Sequence, residues 1–112
     1  MTQNDKDLLL KDLCGRLPYR VKVQIKNEIV VLDSICDDDG YHFNFIGDDM
    51  EGVNIEEIKP YLFPMSNVVE EIVTTSNKHI AVNVDFFHKN HIDYRGLIPK
   101  GLALDATNLN VY

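Results

Sequence analysis

At 112 residues and 12.8 kDa the chain has the size of one domain (residues 1–112), and 45% hydrophobic with 26% charged residues argues against a disordered or collagen-like polypeptide. No apolar run nears the roughly 18–20 residues of a membrane span. Eighteen acidic against eleven basic side chains leave a formal charge of −7, which argues against direct binding to nucleic acid, since that needs surplus Lys and Arg to displace counterions.

The chain opens with a helix over residues 4–14. Thr2 or Asn4 is placed to cap it, and Asp5 and Asp7 fall in the first turn, where carboxylates suit the positive end of the helix dipole. Leu9, Leu10, Leu13 and Cys14 form one apolar stripe. Gly15 is expected to stop the helix in left-handed geometry, and Pro18 to keep it from resuming. Tyr19, Val21, Val23 and Ile25 then alternate with Arg20, Lys22, Gln24 and Lys26, which predicts a strand with one buried and one wet face. Asn27 tolerates a positive φ, so residues 26–28 read as a hairpin turn. The return strand over residues 29–36 is apolar on both faces, which predicts a central, doubly buried position.

Asp37-Asp38-Asp39-Gly40 is a turn made by aspartates and a glycine. Tyr41, Phe43 and Phe45 predict a third strand, and Val53-Asn54-Ile55 a short fourth one, separated by a turn over residues 47–52. Glu56-Glu57-Ile58 reads as a single helical turn ended by Pro60. Tyr61-Leu62-Phe63-Pro64-Met65 reads as an apolar connector, and its exposure would make a homo-oligomer interface. Asn67 and Glu70 fit a capping box for a second helix over residues 68–76. For residues 78–86 strand and helix periodicities compete; a third helix over residues 82–90 fits better, with Asn83 capping it and Asn90 ending it. Residues 91–112 form a wrapping tail held by Leu97, Ile98, Leu102 and Leu104. The expected fold is α+β: an N-terminal helix, a four-stranded antiparallel meander able to curl into a small SH3-like barrel, one or two further helices and the tail.

Few residues suggest chemistry. Cys14 and Cys36 read as small buried hydrophobes in a reducing compartment. His88 and His91 share a helical spacing, and with Asp85 or Asp93 they are the one metal-site alternative; H-x-x-H arises often by accident, and no third ligand is specified. Asp37, Asp38 and Asp39, then Asp48, Asp49 and Glu51, form two acidic turns at opposite ends of the meander, which lack the offsets of a calcium loop and suit docking to a basic surface. Asp93-Tyr94-Arg95-Gly96 reads as a locked corner with Tyr94 buried, Arg95 held by Asp93 or an acid from the sheet, and Gly96 turning the chain. There is no phosphate loop, no nucleophile elbow and no histidine beside a nucleophile.

Leu8-Leu9-Leu10-Lys11-Asp12-Leu13 with Arg16-Leu17-Pro18-Tyr19, Ile58-Lys59-Pro60-Tyr61-Leu62-Phe63-Pro64, and Asn90-His91-Ile92-Asp93-Tyr94-Arg95-Gly96-Leu97-Ile98 with Gly101-Leu102-Ala103-Leu104-Asp105-Ala106 recur as strings of one kind of protein. By them the chain resembles a group of small uncharacterised proteins of Bacteroidales genomes, their phages and mobile elements. The resemblance implies a bacterial or phage-infected cytoplasm, in agreement with the absence of a basic, apolar leader. It implies no activity, cofactor or catalytic residue.

The function expected from these observations is that of a small acidic, non-enzymatic accessory protein. It would bind a protein with a basic surface, such as a nucleic-acid-handling or defence protein, with no cofactor and no membrane. The alternative is a metal-dependent hydrolase or nucleotide-processing enzyme using His88, His91 and nearby carboxylates.

Overall fold

A computed structural model of the protein describes residues 1–37, 40–47, 50, 52–64 and 84–112, with Val84 and Asp85 described by backbone alone. The helix expected over residues 68–76 lies outside them. The architecture is α+β. Helix α1 spans Gln3–Arg16 and a 3-10 turn follows at Leu17–Tyr19. Strands β1 (Lys22–Ile25), β2 (Glu28–Asp37), β3 (Tyr41–Phe45) and β4 (Lys59–Pro64) come next, with a second 3-10 turn at Ile55–Glu57 before β4. Helix α2 (Val84–Lys89) and the two-residue strands β5 (Ile92–Asp93) and β6 (Leu104–Asp105) complete the chain.

Thr2 caps α1 as expected: its hydroxyl accepts from the Asp5 amide at 3.1 Å, and the Asp5 carboxylate accepts from the Thr2 amide at 3.2 Å. That second bond holds the Asp5 carboxyl below its usual range. Gly15 does not end the helix, which runs on through it to Arg16. Its role is proximity, because a Cβ there would stand 2.5 Å from the His88 ring. The buried face of α1 is also mixed rather than purely apolar: Leu9, Asp12, Leu13 and Arg16, four positions on one stripe, are all fully buried. Cys14 and Cys36 are exposed, contrary to expectation. Partial burial of its sulfur nonetheless pushes the Cys14 thiol up, away from reactive thiolate.

The strand order is β3-β2-β1-β4-β5, with β6 also pairing β4. Val21, Val23 and Ile25 are fully buried, and Lys26 and Asn27 at φ 49° and 69° make the two-residue hairpin turn that joins Ile25 to Glu28. β2 is not doubly buried. Its pairing with β3 slips between Leu32 and Ser34, so Leu32 meets Phe45 and Ile35 meets Phe43 on the same inner side. A bulge therefore carries the apolar positions from even to odd numbers. Ile29, before the bulge, points outward and is 53% exposed.

The fourth strand is not Val53-Asn54-Ile55 but Lys59–Pro64, and it joins β1 rather than β3. The expected helical turn before it is present, capped by Asn54 and Glu57. What reads as an apolar connector is thus a sheet strand, parallel to β5 and β6. Tyr61 is buried with Ala106 and Val111 under the tail, Leu62 is buried in the main core, Phe63 and Pro64 are half-buried, and Met65 lies outside the described residues. The main core lies on the other side of the sheet, where Leu9 and Leu13 meet Val23, Leu32, Phe43, Phe45, Ile58, Leu62 and Leu97. Each such side chain contributes about 1.5–3 kcal/mol by leaving water.

Candidate functional site

Two regions gather the side chains that sequence reasoning singled out. The first is the corner where α1, α2 and β5 meet. Arg16 and Asp12, one helical turn apart, face inward with no exposed side-chain surface, and the pair is bidentate at 2.7 and 3.1 Å. Arg16 also donates to the carbonyl oxygens of Phe87 at 3.4 Å and Ile92 at 2.5 Å. The first belongs to the last turn of α2, where a helix leaves carbonyls without partners. Arg95 donates to the same Asp12 carboxylate at 3.1 Å and lies over the Tyr94 ring, 4.7 Å from its centroid.

The locked corner is present with its partners exchanged. Arg95 is tied to Asp12 of α1, 83 residues away, and not to Asp93 or to the sheet. Asp93 is buried and accepts from the amides of Leu97 at 2.7 Å and Ile98 at 2.9 Å, which fixes the turn that Gly96 makes at φ 73°. Tyr94 is partly buried, stacked on Phe87 at 5.3 Å. Sequence reasoning missed Asp12 and Arg16; their i,i+4 spacing beside Leu9 and Leu13 is the signal that could have found them.

His88 and His91 are not brought to one point. His88 belongs to α2, lies against Gly15 and shares a 2.9 Å hydrogen bond with the Tyr94 hydroxyl. His91 lies past the helix end at φ 58°, a region histidine tolerates better than most residues, so the helical spacing does not hold there. Its ring stacks on Tyr112 at 3.7 Å and 9°. Burial, with Arg16 and Lys22 nearby, lowers its pKa to about 4. Among the described residues, no three His, Cys, Asp or Glu side chains stand where they would hold a metal ion.

Tyr112, unremarked in the sequence, joins the strands. Its hydroxyl accepts from the Lys22 amide and donates to the Tyr61 carbonyl, both at 2.9 Å. β1 and β4 share only two register pairs, and Pro60 brings no N–H, so the hydroxyl stands in for the next rung. Lys22 in turn reaches the Val111 carbonyl. Burial raises the Tyr112 hydroxyl to about 12, so it keeps its proton throughout the physiological range.

The second region is the β2–β3 margin. Asp37 is exposed at the end of β2, paired with Tyr41; Asp38, Asp39, Asp48, Asp49 and Glu51 lie outside the described residues. The chain has no Lys or Arg from residue 27 to residue 58, a stretch with ten acidic residues. Within it, Glu28, Asp33, Asp37 and Glu56 are exposed. A cavity of about 490 Å³ runs beside β3, walled by Tyr41, Phe43, Asn44, Met50, Val53 and Asn54. Glu56 is paired with Lys6 at 2.6 Å, which holds its carboxyl below the usual range.

No family model matches the chain, and neither a curated protein nor a solved structure does. Among the described residues, no helix is long and apolar enough to cross a membrane.

Proposed function

We propose that the protein is a small acidic binding module, a non-enzymatic accessory protein of a phage or mobile element that works in the bacterial cytoplasm by occupying the basic surface of another protein. The observation that carries this reading is the segregation of charge. The strands β2 and β3 and the 3-10 turn after them come from a stretch with ten carboxylates and no Lys or Arg, while all eleven basic residues lie outside it. A field of one sign steers and orients a partner of the opposite sign. By contrast, Asp12, Arg16, Asp93, Arg95 and His88 are engaged in holding the corner together. Curling of the sheet toward a small SH3-like barrel belongs to the same proposal: the bulge in β2 bends the strand, and the larger of the two cores gathers on one side of the sheet.

The test compares two double variants of equal charge. Asp33→Asn with Asp37→Asn removes two exposed carboxylates of the acidic stretch, and Asp7→Asn with Asp105→Asn removes two elsewhere. With oligoarginine as the probe at low salt, the first pair is expected to weaken binding about fivefold or more and the second less than about twofold. Equal losses, or no binding by the unaltered protein, overturn the proposal.

A further inference from the structure

The tail covers part of the outer face of the sheet, the face turned away from the main core. There Lys22 of β1 stands one rung beyond the Val23–Pro60 pair, beside Tyr61 of β4. Ala106 and Val111 bury Tyr61, the Val111 carbonyl accepts from the Lys22 ammonium, and the Tyr112 hydroxyl spans both strands. Further out, the same face carries Ile29 and Val31 of β2, opposite Gln24 and Lys22, and Ile46, whose amide donates to the Val31 carbonyl at 2.9 Å. Val30, Leu32 and Phe45 are buried in the core, so alternation turns these three neighbours outward. Ile29 and Ile46 are 53% and 45% exposed, and Val31 is half-buried. Ile29 and Val31 stand about 7 Å apart along β2 and Ile46 about 5 Å across from Val31, which makes one contiguous apolar patch.

Carboxylates bracket the patch. Glu28 precedes Ile29 at the start of β2, and Asp33 follows Val31 at the bulge, where it and Ser34 stand against Asn44 on the outer side. Both are exposed and have no cation within ion-pair distance among the described residues. The cations of β1, its turn and β4 do not answer them. Lys22 is held by the tail, Lys26 pairs with Glu57 at 3.9 Å, and Lys59 lies two strands from Ile29, beyond Gln24.

We propose that this half of the outer face receives a basic amphipathic helix of the partner protein. The helix lies along β2 with its apolar stripe on Ile29, Val31 and Ile46, and a Lys or Arg toward each end meets Glu28 and Asp33. The inference rests on the binding-module reading and names the element that the acidic surface binds. Charge selects the sign of the occupant: a second copy would bring the same carboxylates and a net −7 to this face, and a nucleic acid would bring phosphates. Backbone chemistry selects its form. An extended chain laid on a sheet face would press its N–H and C=O groups against isoleucine without partners, whereas a helix satisfies its own. Five steps of strand separate Glu28 from Asp33, about 17 Å, which a helix covers in about eleven residues. Basic residues about eleven apart, with apolar residues between them on the same face, are therefore expected in the partner.

The probe is a labelled fifteen-residue peptide of Ala and Gln with arginines at its second and thirteenth positions and leucines at its sixth, ninth and tenth, all on one helical face. Its control has the same composition with the leucines moved to the opposite face. Fluorescence anisotropy on the full chain at low salt is expected to give binding at least about tenfold tighter for the first peptide, with amide shifts in residues 29–33 and 46. Ile29→Thr with Ile46→Thr is expected to weaken that peptide about tenfold and oligoarginine less than about twofold, whereas Glu28→Gln with Asp33→Asn weakens both. If the two peptides bind alike, or the shifts fall elsewhere, helix docking on this face is wrong while acidic docking stands on the oligoarginine result. If loss of the two carboxylates leaves the first peptide undiminished, charge does not select the occupant and the inference falls. If neither peptide nor oligoarginine binds, both proposals fall. Sedimentation showing the unliganded chain paired through Ile29 and Ile46 also overturns the inference.

Discussion

The corner and the β2–β3 margin use charge in opposite ways. At the corner every carboxylate and guanidinium is matched to a named partner, and two of the charged side chains are completely out of water. At the margin, Glu28, Asp33 and Asp37 are exposed and have no cation within ion-pair distance among the described residues. A buried pair is a device for fixing geometry: breaking it leaves an uncompensated charge, although making it adds little stability. A solvated surplus of one sign does little for stability and much for encounter. Position in the fold, more than residue type, separates charges that fix geometry from charges left in solvent here.

The sharpest way to break this contrast is Asp12→Ala. It leaves Arg16 buried and half-satisfied and releases Arg95, so urea denaturation is expected to show a loss of about 3–5 kcal/mol. A loss below about 1 kcal/mol would place the corner on the same footing as the surface. Next comes Gly15→Ala. An alanine within a helix ordinarily gains up to about 1 kcal/mol over glycine, yet here, in the last turn of α1, its methyl meets the His88 ring, and a net loss of about 1–3 kcal/mol is expected, partly restored by adding His88→Ala. Net stabilisation by the single change contradicts the close approach. Tyr112→Phe removes the hydroxyl between β1 and β4 and is expected to lower stability by about 1–2 kcal/mol, read by the same denaturation.

His91 gives the contrast a pH axis. Its folded pKa of about 4 lies below the ordinary 6.5, so between those values the unfolded chain binds the extra proton. Its contribution is complete above about pH 6.5 and is lost as pH falls toward 4. Solvent screening at the half-buried ring holds the effect to about 1–2 kcal/mol. Denaturation midpoints across that window should fall with pH in the unaltered protein, and His91→Phe should lessen the slope. The smallest effect is expected from Asp33→Asn with Asp37→Asn, within about 0.5 kcal/mol of the unaltered protein.

Local patterns in the sequence carry much of the fold. The alternation from Val21 to Ile25, the Lys26-Asn27 turn, the Thr2 cap and the short helix before Asn90 are each set by neighbours a few residues away, and each is found where the residues place it. Errors arise where a distant contact decides. Gly15 looks like a stop signal until His88, remote in sequence, lies on it. A bulge makes the apolar residues of β2 fall on both parities, which periodicity alone reads as burial on two faces. Tyr61-Leu62-Phe63 reads as a connector because nothing local reveals that residues 104–112 cover it. Residues 93–96 were legible as a corner, but Asp12 and Arg16, which hold it from α1, were not, since they reach it only through tertiary packing.

The most direct measurement is amide chemical-shift mapping of the full chain during an oligoarginine titration at low salt. Shifts concentrated in residues 28–57, with those of residues 93–97 unmoved, are what charge segregation requires. Shifts centred on the corner, or spread evenly over the chain, would show that the acidic stretch is not a docking surface.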